Sequence, residues 1–189
     1  MFGSIVIPML FQQIKIYRKT HLLTTLRSLA IQALVFFLIF QSISFLRETS
    51  MLSTDTTLNE SSNLSFENVP TLMGETVSLN SQGKNTVIYF FAPWCQVCHV
   101  SIGNLQTLYE KNDQLDVIAV AMDYSSADEV MAFTQQHQLT FPIALGTEKI
   151  KQAFSITGYP SYYVIDGENS IIGKSLGYSS ALGLYLRSL

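Results

Sequence analysis

The chain has 189 residues, 48% hydrophobic and 13% charged, with a formal net charge of −3 and two cysteines. That length holds one domain of ordinary size plus a membrane segment, and argues against two domains. From Asn68 onward there are six basic and ten acidic side chains without a Lys/Arg cluster, which argues against nucleic acid as a partner.

The first fourteen residues, apolar around Pro8, are too short to span a bilayer; an interfacial segment and an early start codon both fit them. Lys15, Arg18, Lys19 and Arg27 follow with no acid among them, and then Ser28 to Leu46 carries no charge at all. Those nineteen residues would rise about 28 Å as a helix, close to the hydrocarbon thickness of a bilayer. Beyond it Arg47 is followed by Glu48, Asp55, Glu60 and Glu67, so the positive-inside rule places the N-terminus in the cytoplasm. A signal peptide with Ala30 to Phe40 as its core and Ser42-Ile43-Ser44 near the cleavage site is the alternative. Either way the two cysteines end outside the cytoplasm, where disulfide chemistry is sustained. We expect a cytoplasmic segment over 1–27, a transmembrane helix or uncleaved signal anchor over 28–46, a flexible polar linker over 47–65, and a folded domain over 66–189.

Val77 to Leu79 reads as a short edge strand, and Thr86 to Phe91 as a strand buried on both faces, being β-branched and aromatic almost throughout. Cys98, Ile102, Leu105, Leu108 and Tyr109 then recur at helical spacing, which puts Cys95 near a helix N-cap. There the unpaired N–H groups and the helix dipole favour a thiolate. The i, i+3 spacing sets the second sulfur one turn away, about 5–6 Å off, within reach of a disulfide.

Three other readings compete for Cys95-Gln96-Val97-Cys98-His99. A structural staple would close too short a ring to remove much unfolded-state entropy. The pattern also matches c-type haem attachment, C-x-x-C-H, with a second axial ligand to be found among Met122, Met131, His137 and others. A copper or zinc site would need ligands beyond the two cysteines and His99.

Leu115 to Met122 reads as a second buried strand, Ala127 to His137 as a helix, Phe141 to Leu145 as a strand and Glu148 to Phe154 as a helix. This alternation predicts βαβ crossovers and a mainly parallel sheet. Ser161 to Asp166 and Ser170 to Leu176 flank Gly167-Glu168-Asn169 as an antiparallel hairpin, and Ala181 to Leu189 closes the chain as a helix. The hairpin follows Gly158-Tyr159-Pro160-Ser161, where a proline at the head of a strand fits either peptide isomer.

Trp94-Cys95-Gln96-Val97-Cys98 after a buried strand, with Gly158-Tyr159-Pro160 before a hairpin that ends in a helix, resembles the thioredoxin fold. The helix and strand from Ala127 to Leu145 resemble the insertion of the extracytoplasmic TlpA, ResA and DsbE branch. Val87 to Ala92, Gly177-Tyr178-Ser179-Ser180 and Gly183-Leu184-Tyr185-Leu186-Arg187 are similar to membrane-anchored oxidoreductases related to the suppressor-of-copper-sensitivity protein ScsD. The resemblance implies an α/β thioredoxin-like fold with a TlpA-type αβ insertion and a central mixed sheet flanked by helices. It implies Cys95 as the exposed nucleophile, Cys98 as the resolving thiol, and Pro160 as a cis-proline facing the pair. Trp94 and Tyr159 would border the substrate, and Gln96, Val97 and His99 would tune the thiolate. No cofactor is implied beyond the redox-active Cys95–Cys98 disulfide. The implied partners are protein thiols or disulfides and a transmembrane thiol donor or acceptor, with reduction the expected direction and cytochrome c maturation or copper tolerance the setting. Three positions depart from the pattern: Tyr89 stands where thioredoxins bury an aspartate, Gln96 where ResA-like proteins can carry glutamate, and Gly103 where a kinking proline is common, so that local bending or close packing is expected there.

Overall fold

Val87, Ile88, Tyr89, Phe90 and Phe91 have no solvent exposure, and successive side chains of a strand point to opposite faces. Each face of this strand therefore needs its own cover. The computed structural model describes residues 27–42, 51–54, 57–58 and 66–189, in two compact units, Met1–Leu46 and Arg47–Leu189.

In the first unit, residues 27–42 form a helix (α1) whose large apolar side chains, from Leu29 to Phe40, are exposed. Residues 43–46 of the expected span, and most of the leader, lie outside the described residues. Among the described residues no helix is long and apolar enough to cross a membrane.

The second unit runs β1 (Val69–Pro70), β2 (Thr76–Val77), β3 (Asn85–Phe91), α2 (Gln96–Lys111), β4 (Leu115–Ala121), α3 (Ala127–Gln136), β5 (Ile143–Leu145), α4 (Glu148–Ala153), β6 (Ser161–Ile165), β7 (Ile171–Leu176) and α5 (Ala181–Arg187). Five strands form one mixed sheet in the order β5-β4-β3-β6-β7. β3, β4 and β5 are parallel, whereas β6 and β7 are antiparallel to their neighbours. One face packs Val87, Tyr89 and Phe91 with Cys98, Ile102 and Leu105 of α2, Val130 and Phe133 of α3, and Leu184 of α5. The other packs Ile88 and Phe90 with Ile150, Phe154 and Tyr163, and Phe154 meets the rings of Phe66, Phe90 and Tyr163 at 5.2, 4.9 and 5.7 Å. This is the thioredoxin-like architecture expected from the sequence.

The elements differ from expectation at their ends. The strand expected over Val77 to Leu79 is Thr76–Val77, paired antiparallel with β1 away from the main sheet, while Leu79 turns inward and donates its N–H to Phe66 O at 2.7 Å. β5 begins at Ile143 and not Phe141, because Pro142 has no N–H for the ladder; its carbonyl accepts from Ala119 N at 3.0 Å. α5 stops at Arg187 with Ser188 as its C-cap. In the stretch expected to be linker, Met51 and Leu58 are buried in the second core, and Leu52 N–H donates to Tyr163 Oη at 3.0 Å. Those described residues pack against the sheet. Gly103 is exposed, and a Cβ there would meet nothing within 4 Å, so close packing is not its role.

Gly146 is the glycine that the fold does require. Its N–H donates to Ala121 O at 2.8 Å, and a Cβ at this position would collide with Met122 Sδ and sit 2.7 Å from Ala121 O. Gly146→Ala should therefore cost about 1–3 kcal/mol by overpacking, seen as a lower urea midpoint with unchanged slope. An unchanged midpoint would show that the β4 end can move aside.

Candidate active site

β3 delivers the chain to the carboxyl end of the sheet's central strand, and α2 begins after four intervening residues. Cys95 N–H donates to Ala92 O at 3.0 Å, closing the turn through Pro93 and Trp94. Cys95 is the N-cap of α2, and its Sγ accepts the Cys98 N–H at 3.1 Å. The two sulfurs are joined in a disulfide, with Cα atoms 5.2 Å apart. Cys95 keeps 6% exposure and Cys98 none. In this oxidised state the expected nucleophile is thus nearly covered, because its sulfur lies back against the first turn.

Pro160 follows a cis Tyr159–Pro160 bond. Ser161 pairs with Phe90 across the antiparallel β3/β6 ladder, which places Pro160 at the sheet end where the cysteines emerge. Its own carbonyl accepts from Gly177 N at 2.8 Å. Trp94 is 58% exposed, with its ring edge-on to Tyr159 at 6.0 Å. Gln96 and Val97 lie exposed on the first turn of α2. His99, half-buried, has its Nδ1 2.7 Å from His137 Nε2 and its Nε2 2.9 Å from Pro93 O.

Beneath the pair lies a hydroxyl where thioredoxins place a carboxylate. Tyr89 Oη is 3.0 Å from Ser101 Oγ and donates to Cys98 O at 3.5 Å. Burial, reinforced by neighbouring Tyr162, pushes this phenol far above its ordinary range, and burial pushes Tyr162 up to about 12. Both stay protonated at any working pH, so neither can take a proton from Cys98.

Residues that the sequence reading passed over complete the rim. Asp123 follows β4 at the same end of the sheet where Cys95 follows the parallel β3. Its carboxylate accepts from Lys151 Nζ at 2.9 and 2.7 Å and from Tyr159 Oη at 2.9 Å, while its carbonyl accepts Trp94 Nε1–H at 3.0 Å. One residue thus ties both loops that border the disulfide. It does so at φ 45°, a left-handed conformation that Asp tolerates better than most residues. The available signal was its place just past a buried parallel strand, since ligand-facing residues gather at the carboxyl ends of such strands.

The Lys151 ammonium, with the Tyr159 hydroxyl, holds the Asp123 carboxyl below the usual range. A carboxyl lowered in the folded chain contributes stability above its unfolded pKa, near 3.9, and loses it as pH falls through the lower folded value. The stability difference between the wild type and Asp123→Asn should hence be constant above about pH 5 and shrink toward zero in stronger acid. Urea unfolding followed by Trp94 fluorescence from pH 2.5 to 7 checks this, and a difference that grows on acidification would contradict it.

Residues 63–174 match the AhpC/TSA family. Among its relatives, the thioredoxin-like protein YneN of Bacillus subtilis is 34% identical over 107 residues, covering 53% of this chain and 62% of YneN. The thiol-disulfide oxidoreductase ResA of Bacillus cereus is 29% identical over 113 residues, covering 58% of this chain and 65% of ResA. The chain thus spans slightly less than two thirds of these two relatives. The crystal structure of StoA from Bacillus subtilis superposes with a TM-score of 0.62 at 22% identity, over 68% of this chain and 99% of StoA. A secreted Mycobacterium tuberculosis disulfide oxidoreductase homologous to Escherichia coli DsbE gives 0.58 at 18% identity, over 65% of this chain and 94% of that one. With the family model matching more than half of it, the chain belongs to the AhpC/TSA family and is similar in sequence to YneN and ResA and in fold to StoA.

Proposed function

We propose that the chain is a membrane-tethered thiol-disulfide oxidoreductase that reduces extracytoplasmic protein disulfides through Cys95 and Cys98. The observation that carries this is the disulfide seated at the N-cap of α2, at the sheet end that also holds the cis Tyr159–Pro160 bond. The uncharged stretch 28–46, with four bases and no acid before it and one base, Arg47, then acids after it, and the exposed apolar surface of α1 support tethering by one helix with the catalytic domain outside.

In the reduced chain the Cys95 thiolate attacks one sulfur of a substrate disulfide. That bond breaks, and the substrate's other sulfur leaves as a thiolate. Cys98 gives up its proton, for which the departing substrate thiolate is a competent base, and attacks the Cys95 sulfur. The mixed disulfide breaks, the second substrate thiol leaves, and the Cys95–Cys98 bond forms. Two electrons have passed to the substrate, so a transmembrane thiol donor must return them. Trp94 and the backbone at Tyr159 would flank an extended substrate segment lying along the sheet end.

Reduction is the direction we infer from the few donors at the first sulfur. Among the described residues the N–H bonded to Cys95 Sγ is that of Cys98 alone; strong oxidants instead stabilise their thiolate heavily. By resemblance, cytochrome c maturation or copper tolerance is the setting.

A c-type haem carrier is the second reading, favoured by the C-x-x-C-H spacing. It would require both sulfurs as thioethers and a free His99 nitrogen, whereas the sulfurs are bonded to each other and both His99 nitrogens are engaged. A copper or zinc module is the third, and among the described residues no three His, Cys, Asp or Glu cluster as ligands.

Equilibration of the full chain with dithiothreitol should give a reversible Cys95–Cys98 disulfide with a potential near about −250 mV or lower. Cys98→Ser should accumulate mixed disulfides with exported proteins that dithiothreitol releases, and Cys95→Ser should not. A potential near about −120 mV would reverse the assigned direction. Failure to form a reversible disulfide, with a Soret band that survives denaturation or about one equivalent of metal lost on alkylation, would replace the reading with haem or metal binding.

A further inference from the structure

His99 directly follows Cys98, and both its ring nitrogens are engaged. Pro93 O lies 2.9 Å from Nε2, and His137 Nε2 lies 2.7 Å from Nδ1. A carbonyl oxygen only accepts, so His99 Nε2 carries a hydrogen. In neutral His99 the Nδ1 is then a bare lone pair, and His137 Nε2–H donates to it. The Phe133 ring packs on both imidazoles, with centroids 4.7 Å from each. His137 is itself the C-cap of α3, its backbone N–H bonded to Phe133 O at 3.2 Å. A hydrogen-bonded chain thus runs from the fixed end of α3 through two imidazoles to the carbonyl two residues before Cys95. Because a peptide is planar, holding that carbonyl fixes the Pro93–Trp94 unit as a whole.

We propose that His137 is a positioning residue for the redox pair: it locks His99 in the Nε2–H tautomer, which grips Pro93 O and keeps Cys95 at the N-cap where its sulfur accepts the Cys98 N–H. This rests on the oxidoreductase reading and adds to it a residue from α3. Loss of the grip weakens the bond that favours the Cys95 thiolate, so the reduced form loses stability relative to the disulfide.

The groups against the imidazoles are Pro93 O from the turn and the Phe133 ring from α3. The ion pairs among the described residues, Lys84 with Asp116 and Lys151 with Asp123, involve neither histidine. The bond between the imidazoles survives one added proton, which leaves a cation donating to a neutral ring. A second proton puts hydrogens and like charges face to face, and the bond breaks. Burial, and then the charge of His99, hold His137 below the ordinary histidine range, so the second proton enters only in acid.

The test uses the full chain and two variants. His137→Phe keeps a ring against Phe133 and removes the donor, whereas His137→Gln keeps an N–H donor and cannot titrate. At pH 7, His137→Phe should move the equilibrium with dithiothreitol about tenfold toward the protein disulfide, which is about 30 mV for a two-electron couple. His137→Gln should return it to within about twofold of the wild type. Nitrogen NMR of the wild-type imidazoles should find His99 as the Nε2–H tautomer. An equilibrium unchanged in His137→Phe, no rescue by His137→Gln, or a wild-type His99 in the Nδ1–H tautomer each overturns the proposal, and the last needs no variant to fold. A small dithiol reads the potential whether or not any protein disulfide is a substrate. Absence of exchange with proteins would thus sink the function proposed above while leaving this result legible.

Discussion

The site depends on one strand that cannot move. β3 has partners along both edges, seven register pairs with β4 and five with β6, and both its faces are sealed by core side chains. Its end therefore presents Ala92 to Cys95 from a fixed place, tied further by Met122 N–H donating to Phe91 O at 2.7 Å. α2 starts where the strand stops, so the orphan N–H groups of a helix N-terminus meet a sulfur that the sheet has already positioned. A looser strand would carry the same two cysteines without aiming the first at the backbone of the second.

Beneath that strand end the core is neutral. An ionised carboxylate at position 89 would have to be desolvated among Phe91, Tyr162 and α2, a cost of several kcal/mol by general estimate unless other bonds offset it. Tyr89 instead stacks on Phe91 at 5.9 Å and tilts against Tyr162 at 4.8 Å, and its hydroxyl meets Ser101. This arrangement stabilises the fold and removes a base from the chemistry. Under the function proposed above, resolution by Cys98 would draw on the substrate's own thiolate or on solvent, which would link the rate of release to the acidity of the partner and not to a group built into the protein.

The sequence makes legible whatever is local. The cysteine spacing, the apolar run before it and the proline before the hairpin are short patterns, and Cys95, Cys98 and Pro160 stand where those patterns put them. The rim was not legible. Asp123 reaches Trp94, 29 residues away in the chain, and Tyr159, 36 away, and His137 reaches His99 across 38; such contacts depend on the parallel register of β3 with β4, which no short window encodes. Close packing, one of the two roles expected at Gly103, is ruled out for the converse reason: the sequence does not show which face of α2 this position takes, and it faces solvent.

The residues that hold the redox turn come largely from the helices and strand that follow β4. His137 ends α3 and Lys151 lies in α4, and through His99 and Asp123 respectively they reach Pro93, Trp94 and Tyr159. The αβ segment between the two motifs therefore acts as a brace as well as cover for the sheet. A thioredoxin-like domain without it could still place a disulfide at a helix N-cap, because β3 and α2 suffice for that. It would have to hold the Pro93 carbonyl and the Trp94 indole by other means. In this chain, the end of α3 reaches Pro93, and α4 reaches Trp94, through two hydrogen bonds each, so the turn that leads into Cys95 is held by elements that follow β4 as well as by β3 and α2.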